Sequence, residues 1–302
     1  MRLPVACLGL SAVLMALLPL GLARADTTPA KCAALVALVQ EFTGYEAKAA
    51  PQAAVLGWCV MDGAELAADQ PDWPNLRAAT LRLKGEVEGS TVVAIEVDIA
   101  GLRLVAGLGS KQVDEKLQDM FRLQNADLRF RASVNAGTGQ IEIRDLDISL
   151  SGGTEISLEA DLAGTGLSVP EVAAGRLTRL DLIWKADGRL MRQVMELAGS
   201  RQGKGLSGAE AIRAARGGLS DLLAALPDAM LEGESRAELA GLLASLPEGR
   251  GVLELSFQGD PGIGAADLLL ASLSKAPLAR ETLARLFAGA AVTADWQQGL
   301  QP

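Results

Sequence analysis

A chain of 302 residues, 49% of them hydrophobic, has ample material for one large domain or two ordinary ones and is not intrinsically disordered. Only 3% of residues are aromatic and the formal charge is −9, which argues against nucleic acid and against anionic membrane surfaces as partners. Histidine is absent altogether, which excludes Ser-His-Asp and Cys-His nucleophiles, imidazole metal sites and the usual proton shuttle near neutral pH.

The first 25 residues read as a signal peptide. Arg2 supplies a positive start, residues 3–22 are apolar with Pro19 and Gly21 breaking their end, and Ala23-Arg24-Ala25 fits small-x-small cleavage, so cleavage is expected after Ala25. An uncleaved membrane anchor is the alternative. Loss of Arg2 and Arg24 leaves 26 basic against 37 acidic side chains. Arg outnumbers Lys, and Ala, Leu and Gly dominate, which suits a GC-rich bacterial genome and hence a periplasmic address.

Residues 26–75 are expected to form an N-terminal helix and a disulfide-closed connector. Pro29 suits a first helical turn, and Cys32, Leu35, Val36 and Val39 share a stripe over 29–42. Cys32 and Cys59 are the only cysteines after the leader, and an exported pair without Cys-x-x-Cys spacing predicts a structural disulfide contributing on the order of 3 kcal/mol. The acidic stretch 62–75, with Pro71 and Pro74, reads as a connector in which Trp73 is a lid or a local anchor.

Residues 76–187 predict an antiparallel β-meander. Strands are expected at 80–88 and 91–106, joined at Gly89-Ser90, followed by a helix capped by Ser110 in which Val113, Leu117, Met120 and Phe121 share a face. The clearest alternation runs over 126–162: Leu128, Phe130, Ala132 and Val134 oppose Asp127, Arg129, Arg131 and Ser133. Turns are expected at Gly137-Thr138-Gly139 and Gly152-Gly153. Ile141 and Ile143 keep one phase while Leu146, Ile148 and Leu150 keep the other, so Arg144-Asp145 marks a β-bulge that restores the buried face. A further strand is expected at 177–186.

The period becomes helical over 188–248. Leu190, Val194 and Leu197, then Ile212, Ala215, Leu219 and Leu222, then Leu239, Leu242 and Leu246 form stripes; Ser207-x-x-Glu210 and Ser235-x-x-Glu238 read as capping boxes, and Pro227 and Pro247 as terminators. Residues 249–302 predict a C-terminal αβ segment completing the sheet: strands at 251–258 and 265–272, a helix at 277–288 and a strand at 291–296. That order repeats the strand-strand-helix-strand order of 80–134, by internal duplication or by coincidence. The fold class is thus α+β, a curved antiparallel meander covered by a set of helices.

Gly107-x-Gly109-Ser110-Lys111 lacks the third glycine of a dinucleotide fingerprint and reads as a turn with a cap. The stretch 199–205 is one residue short between its glycines for a P-loop and reads as a flexible helix–helix linker. Asp98, Asp145 and Asp147 sit on a strand's solvated parity, so no catalytic residue, cofactor or metal is expected. What remains is apolar surface: Phe130, Val134, Ile148 and Ile156 on the sheet and Leu219, Leu223 and Leu242 on the helices either pack against each other or line a groove of acyl-chain width. A chain in such a groove would gain about 0.8 kcal/mol per buried methylene.

The segment LRFRASVNAGTGQIEIRDLDISLSGGTEISLEADLAG and the following LTRLDLIWKADGRLMRQVMELAG resemble uncharacterised exported proteins of alphaproteobacteria. The β-meander is more distantly similar to AsmA-like envelope proteins, whose sheets form lipid-accommodating grooves. The resemblance spans roughly residues 125–290 as pattern and implies envelope association and lipid contact, with no functional residue carried over. The expected function is a non-enzymatic periplasmic envelope protein that binds a lipid or other apolar ligand between sheet and helices. The alternative is a structural or adaptor protein that binds an envelope partner through its Leu-rich helices.

Overall fold

The computed structural model describes residues 28–48, 52–53, 57–69, 75–89, 91–104, 125–135, 137–164, 166–202, 206–264 and 280–299. Helix α1, Pro29–Thr43, starts where the Thr28 hydroxyl accepts the Lys31 N–H at 3.2 Å and ends at Gly44. Five short strands follow: β1 Tyr45–Ala47, β2 Gln52–Ala53, β3 Cys59–Asp62, β4 Glu65–Ala68 and β5 Leu76–Arg77. The expected connector over 62–75 therefore carries β4, which four residues of modest hydrophobicity do not announce; Trp73 lies outside the described residues.

The long strands are β6 Thr80–Glu88, β7 Thr91–Leu104, β8 Ala126–Asn135, β9 Gln140–Leu150 and β10 Glu155–Ala163. After a one-and-a-half-turn helix, α2 Val169–Ala174, come β11 Arg176–Ala186 and three helices, α3 Gly188–Gln202, α4 Gly208–Ala225 and α5 Gly233–Ser245. The chain closes with β12 Gly251–Gly264, α6 Arg280–Leu286 and β13 Ala290–Gln298. Every strand pairing in the sheet is antiparallel, in the order β2-β3-β6-β7-β8-β9-β10-β11-β12-β13, with β5, β4 and β1 branching from the far end of β7. Among the described residues the sheet does not close on itself, and the α+β class with a curved meander stands as read from the sequence. The expected helix after Ser110 and the strand expected at 265–272 lie outside the described residues. The strand expected at 251–258 runs on to Gly264.

The bulge sits where the alternation changes phase. Pairing with β8 shifts between Arg129 and Arg131, pairing with β10 shifts between Leu158 and Ala160, and Asp145 has φ 52°. Because strand side chains alternate, the single extra residue returns Leu146 and Ile148 to the apolar side. The two turns of the meander hold Gly139 at φ 66° and Gly153 at φ 93°, conformations that a Cβ disfavours.

Three hydrophobic clusters form on the sheet among the described residues, the third joining Met230, Leu231, Phe257, Ile263, Ala290 and Val292. Under α1, the buried side chains Leu35, Leu81, Leu83 and Val97 pack with Ala132 and Ile141, and the Cys32–Cys59 disulfide ties α1 to β3 there. Gly85 makes this approach possible: a Cβ on it would stand 2.3 Å from the Ala94 carbonyl oxygen and 2.7 Å from Leu35 Cδ2. At the other end α3, α4 and α5 cover β12 and β13, joining Met195, Ile212, Ala215 and Leu242 to Leu253 and Trp296. The α3–α4 crossing is equally close, since a Cβ on Gly199 would lie 1.7 Å from the Ala211 carbonyl oxygen. Gly199 to Gln202, read from the sequence as linker, thus belong to α3.

Ser207 is the N-cap residue of α4, but its side chain makes no cap bond, and Pro227 and Pro247 follow α4 and α5 as expected. Ser235 and Glu238 are not a capping box: α5 begins at Gly233 after Glu232, and both side chains turn instead to β13. On that edge strand Ala290 N–H donates to the Phe287 carbonyl at 3.0 Å and Val292 N–H to the Met230 carbonyl at 2.7 Å. Ala294 N–H donates to Ser235 Oγ at 3.1 Å, and Trp296 N–H to a Glu238 carboxylate oxygen at 3.3 Å. A capping box does bind at Ser168, whose backbone N–H and hydroxyl both reach the Glu171 carboxylate.

Candidate functional site

The residues expected to line one groove lie in several places. Phe130 and Val134 pack against the core under α1. Ile148 and Ile156 are direct cross-strand partners and border a trough on the sheet. Leu242 is only 6% exposed within the core beneath the helices, Leu223 packs against Met230, Phe257 and Val292, and Leu219 is 39% exposed. Sheet and helix residues of the expected groove therefore do not face each other. The helices follow β11 and precede β12, and short connections drop them onto the end of the sheet rather than onto the meander. Beneath the helices the sheet contributes Leu253, Phe257 and Trp296, each at most 7% exposed. The Trp296 indole N–H is buried there without an acceptor among the described residues.

The trough, about 450 Å³, crosses the charged side of the meander. One row of cross-strand partners runs Asp98, Arg129, Asp147, Ser157, Ile183. Its polar groups are engaged: Arg129 lies 3.9 Å from Asp98, Ser157 Oγ donates to Asp147 at 2.7 Å, Asp127 accepts the Gly101 N–H at 2.7 Å, and Lys185 lies 3.4 Å from Glu155. Ile183 stands among them 49% exposed.

Beside the bulge runs an ion-pair network. Arg144 reaches Asp161 at 2.7 Å and Glu142 at 3.5 Å, and Arg179 reaches Asp181 at 2.5 Å, Glu159 at 3.5 Å and Asp161 at 3.6 Å. A hydrogen bond from Ser256 Oγ, followed by the Arg179 guanidinium, holds the Asp181 carboxyl below the usual carboxylate range, and Arg179 is raised mainly by the same Asp181 contact. A carboxylate so stabilised is a weaker proton acceptor, and its ion pairs link β9, β10 and β11 across the sheet. Among the described residues no group of three or more acidic or cysteine side chains is placed to hold a metal ion.

A second concavity, about 740 Å³, opens between α4 and α5. These two helices are connected through Pro227, whereas α3 and α4 pack tightly at Gly199. Leu223, Ala224, Ala240, Leu243 and Ala244 supply apolar walls; Arg213, Arg216 and Arg236 supply charge, and no carboxylate lines it. Arg236 is committed to the fold: it donates to the Leu223 and Leu226 carbonyls and pairs with Asp228 at 3.0 Å, tying down the C-terminus of α4. Arg213 and Arg216 form no ion pair among the described residues. Their signal in the sequence was the spacing Arg213, Arg216, Gly217, Ser220, Ala224, a polar and small stripe on the side of α4 away from its apolar one.

The apolar stripe itself runs Ala211, Ala215, Leu219, Leu222. Ala211 and Ala215 are at most 1% exposed under α3, whereas Leu219 and Leu222 are 39% and 46% exposed. No family model matches the chain, and no curated protein matches it. No helix among the described residues is long and apolar enough to cross a membrane.

Proposed function

We propose that the protein is a non-enzymatic component of the periplasmic envelope, an adaptor that binds an envelope partner through the outer face of α4. The observation that carries this reading is the pair Leu219 and Leu222, which continues the stripe buried at Ala211 and Ala215 into water. The filled contact between helices and sheet weighs against a ligand held there and moves the adaptor reading ahead of it. The periplasmic address is supported by the leader-like first 25 residues and by the buried Cys32–Cys59 disulfide, a bond that persists in oxidising compartments.

Replacing Leu222 by a photo-crosslinking residue in the native host tests the reading. A discrete adduct with one envelope protein is expected, reduced by Leu219→Asp, a change at an exposed position that alters folding stability by less than about 0.5 kcal/mol. Adduct yields no higher than those from the exposed Glu88 on β6 would overturn it.

A further inference from the structure

We infer that the groove between α4 and α5 binds a single-chain anionic amphiphile, a long-chain carboxylate whose head group is held by Arg213 and Arg216. This goes beyond the adaptor reading and uses a different face of α4, so either stands or falls without the other.

In a chain with 37 acidic and 28 basic side chains, a concavity lined by three arginines and no carboxylate departs from the balance of the whole. One of the three is neutralised by Asp228 and spent on the α4 carbonyls, which leaves Arg213 and Arg216 as the charges that face the groove without a counterion among the described residues. They are three residues apart and so project from neighbouring positions on one side of the helix. Two adjacent guanidinium forks complement a single carboxylate, which accepts paired N–H donors.

Shape supplies the rest. From Arg213 to Ala224 the helix rises about 16 Å, the length of a fatty chain rather than of a compact anion. Along that path the groove is lined by Leu223 and Leu243 and by the small residues Gly217, Ser220, Ala224, Ala240 and Ala244. A volume of about 740 Å³ is ample for one chain. The head would sit beside Arg213 and Arg216, with the tail running along the helices toward Arg236 and Leu223. Each methylene buried there improves affinity about fourfold.

The test is a titration of the purified protein with a fluorescent long-chain carboxylate below its micelle concentration, with unlabelled competitors. The long-chain carboxylate is expected to displace the probe at least about tenfold better than the alcohol of equal chain length. Arg213→Gln/Arg216→Gln is expected to bring the two to parity. Gly217→Trp is expected to abolish uptake while leaving the circular dichroism unchanged, because a Cβ at Gly217 meets nothing within 4 Å. If that variant loses its helical signal, Ala240→Leu serves as the second blocking change. No probe uptake by folded wild type would overturn the proposal. So would equal competition by alcohol and carboxylate in wild type, or by a short-chain carboxylate, which would mark a simple anion site. Displacement by an acidic amphipathic peptide and by no amphiphile would also overturn it, in favour of a protein partner at this groove.

Discussion

Reducing the disulfide removes a cross-link between residues 27 apart in sequence. In the chain-entropy description, closing a loop of that size restricts the unfolded ensemble by about 12 cal/mol/K, which corresponds to about 3.5 kcal/mol at 25 °C. Little of this is recovered in the folded state, because both sulfurs are buried, Cys32 at 1% and Cys59 at 0% exposure, and Leu35 keeps α1 against Gly85 whether or not the bond is present. Urea unfolding followed by tryptophan fluorescence is a direct assay, since Trp58 adjoins Cys59 and lies beneath Lys84, 5.8 Å from the ring centroid. With a slope of about 3 kcal/mol/M, the midpoint is expected to fall by about 1 M when reductant is added. The midpoint of the Cys32→Ala/Cys59→Ala variant is expected to fall by about 0.3 M more, the equivalent of about 1 kcal/mol of lost packing. Coincident midpoints for oxidised and reduced protein would refute the reasoning, showing that the unfolded chain gains no freedom from losing the bond.

Gly199→Ala is expected to cost about 1–3 kcal/mol despite alanine's better helix propensity, because its methyl would collide with the Ala211 carbonyl, whereas Gly217→Ala is expected to stabilise by about 0.5–1 kcal/mol. Thermal midpoints moving in the same direction for both would show that the α3–α4 crossing is not close. Asp181→Asn is expected to lower stability at neutral pH by less than about 1 kcal/mol, since the Asp181–Arg179 pair is more than one-third exposed. Because the folded carboxyl titrates below its ordinary value of about 3.9, its contribution is present above that value and is lost as the pH falls through the depressed folded one. The gap between wild type and variant should therefore close in acid, and a gap constant from neutral to strongly acidic pH would contradict the Ser256 and Arg179 contacts.

Local signals carried well into the structure where the chemistry acts over a few residues. The phase change at Arg144-Asp145 located the bulge because alternation has a strict period of two and any extra residue breaks it visibly. Pro29 and the Cys32 stripe located α1 because a first-turn proline and the spacing of Cys32, Leu35, Val36 and Val39 are signals of helical period within a few residues. Strand β4 escaped because four residues, Glu65 to Ala68, are too few to display a period and owe their conformation to their partners β1 and β5. Ser235 and Glu238 escaped differently: their spacing satisfies amides at a helix start or on a neighbouring strand equally well, and only the packing of α5 on β13 selects the second. The candidate groove was legible in its parts but not in its place. Helical stripes declare that a face is apolar, not which strands it covers, and the concavity between α4 and α5 is lined by residues of two helices that neither stripe relates to one another.

The engagement of β13 bears on how this molecule keeps company with its own copies. An exposed terminal strand ordinarily offers a row of amide donors that a strand from another molecule can join, extending the sheet toward filaments or aggregates. Here the amides of Ala290, Val292, Ala294 and Trp296 are consumed by a turn, by the backbone at Met230 and by two side chains of α5. Those amides should therefore exchange with deuterium as slowly as interior ones, although they lie on the last strand. Sheet extension at that margin would first require α5 to lift away, so the helix acts as a stopper on polymerisation as well as a lid on the core.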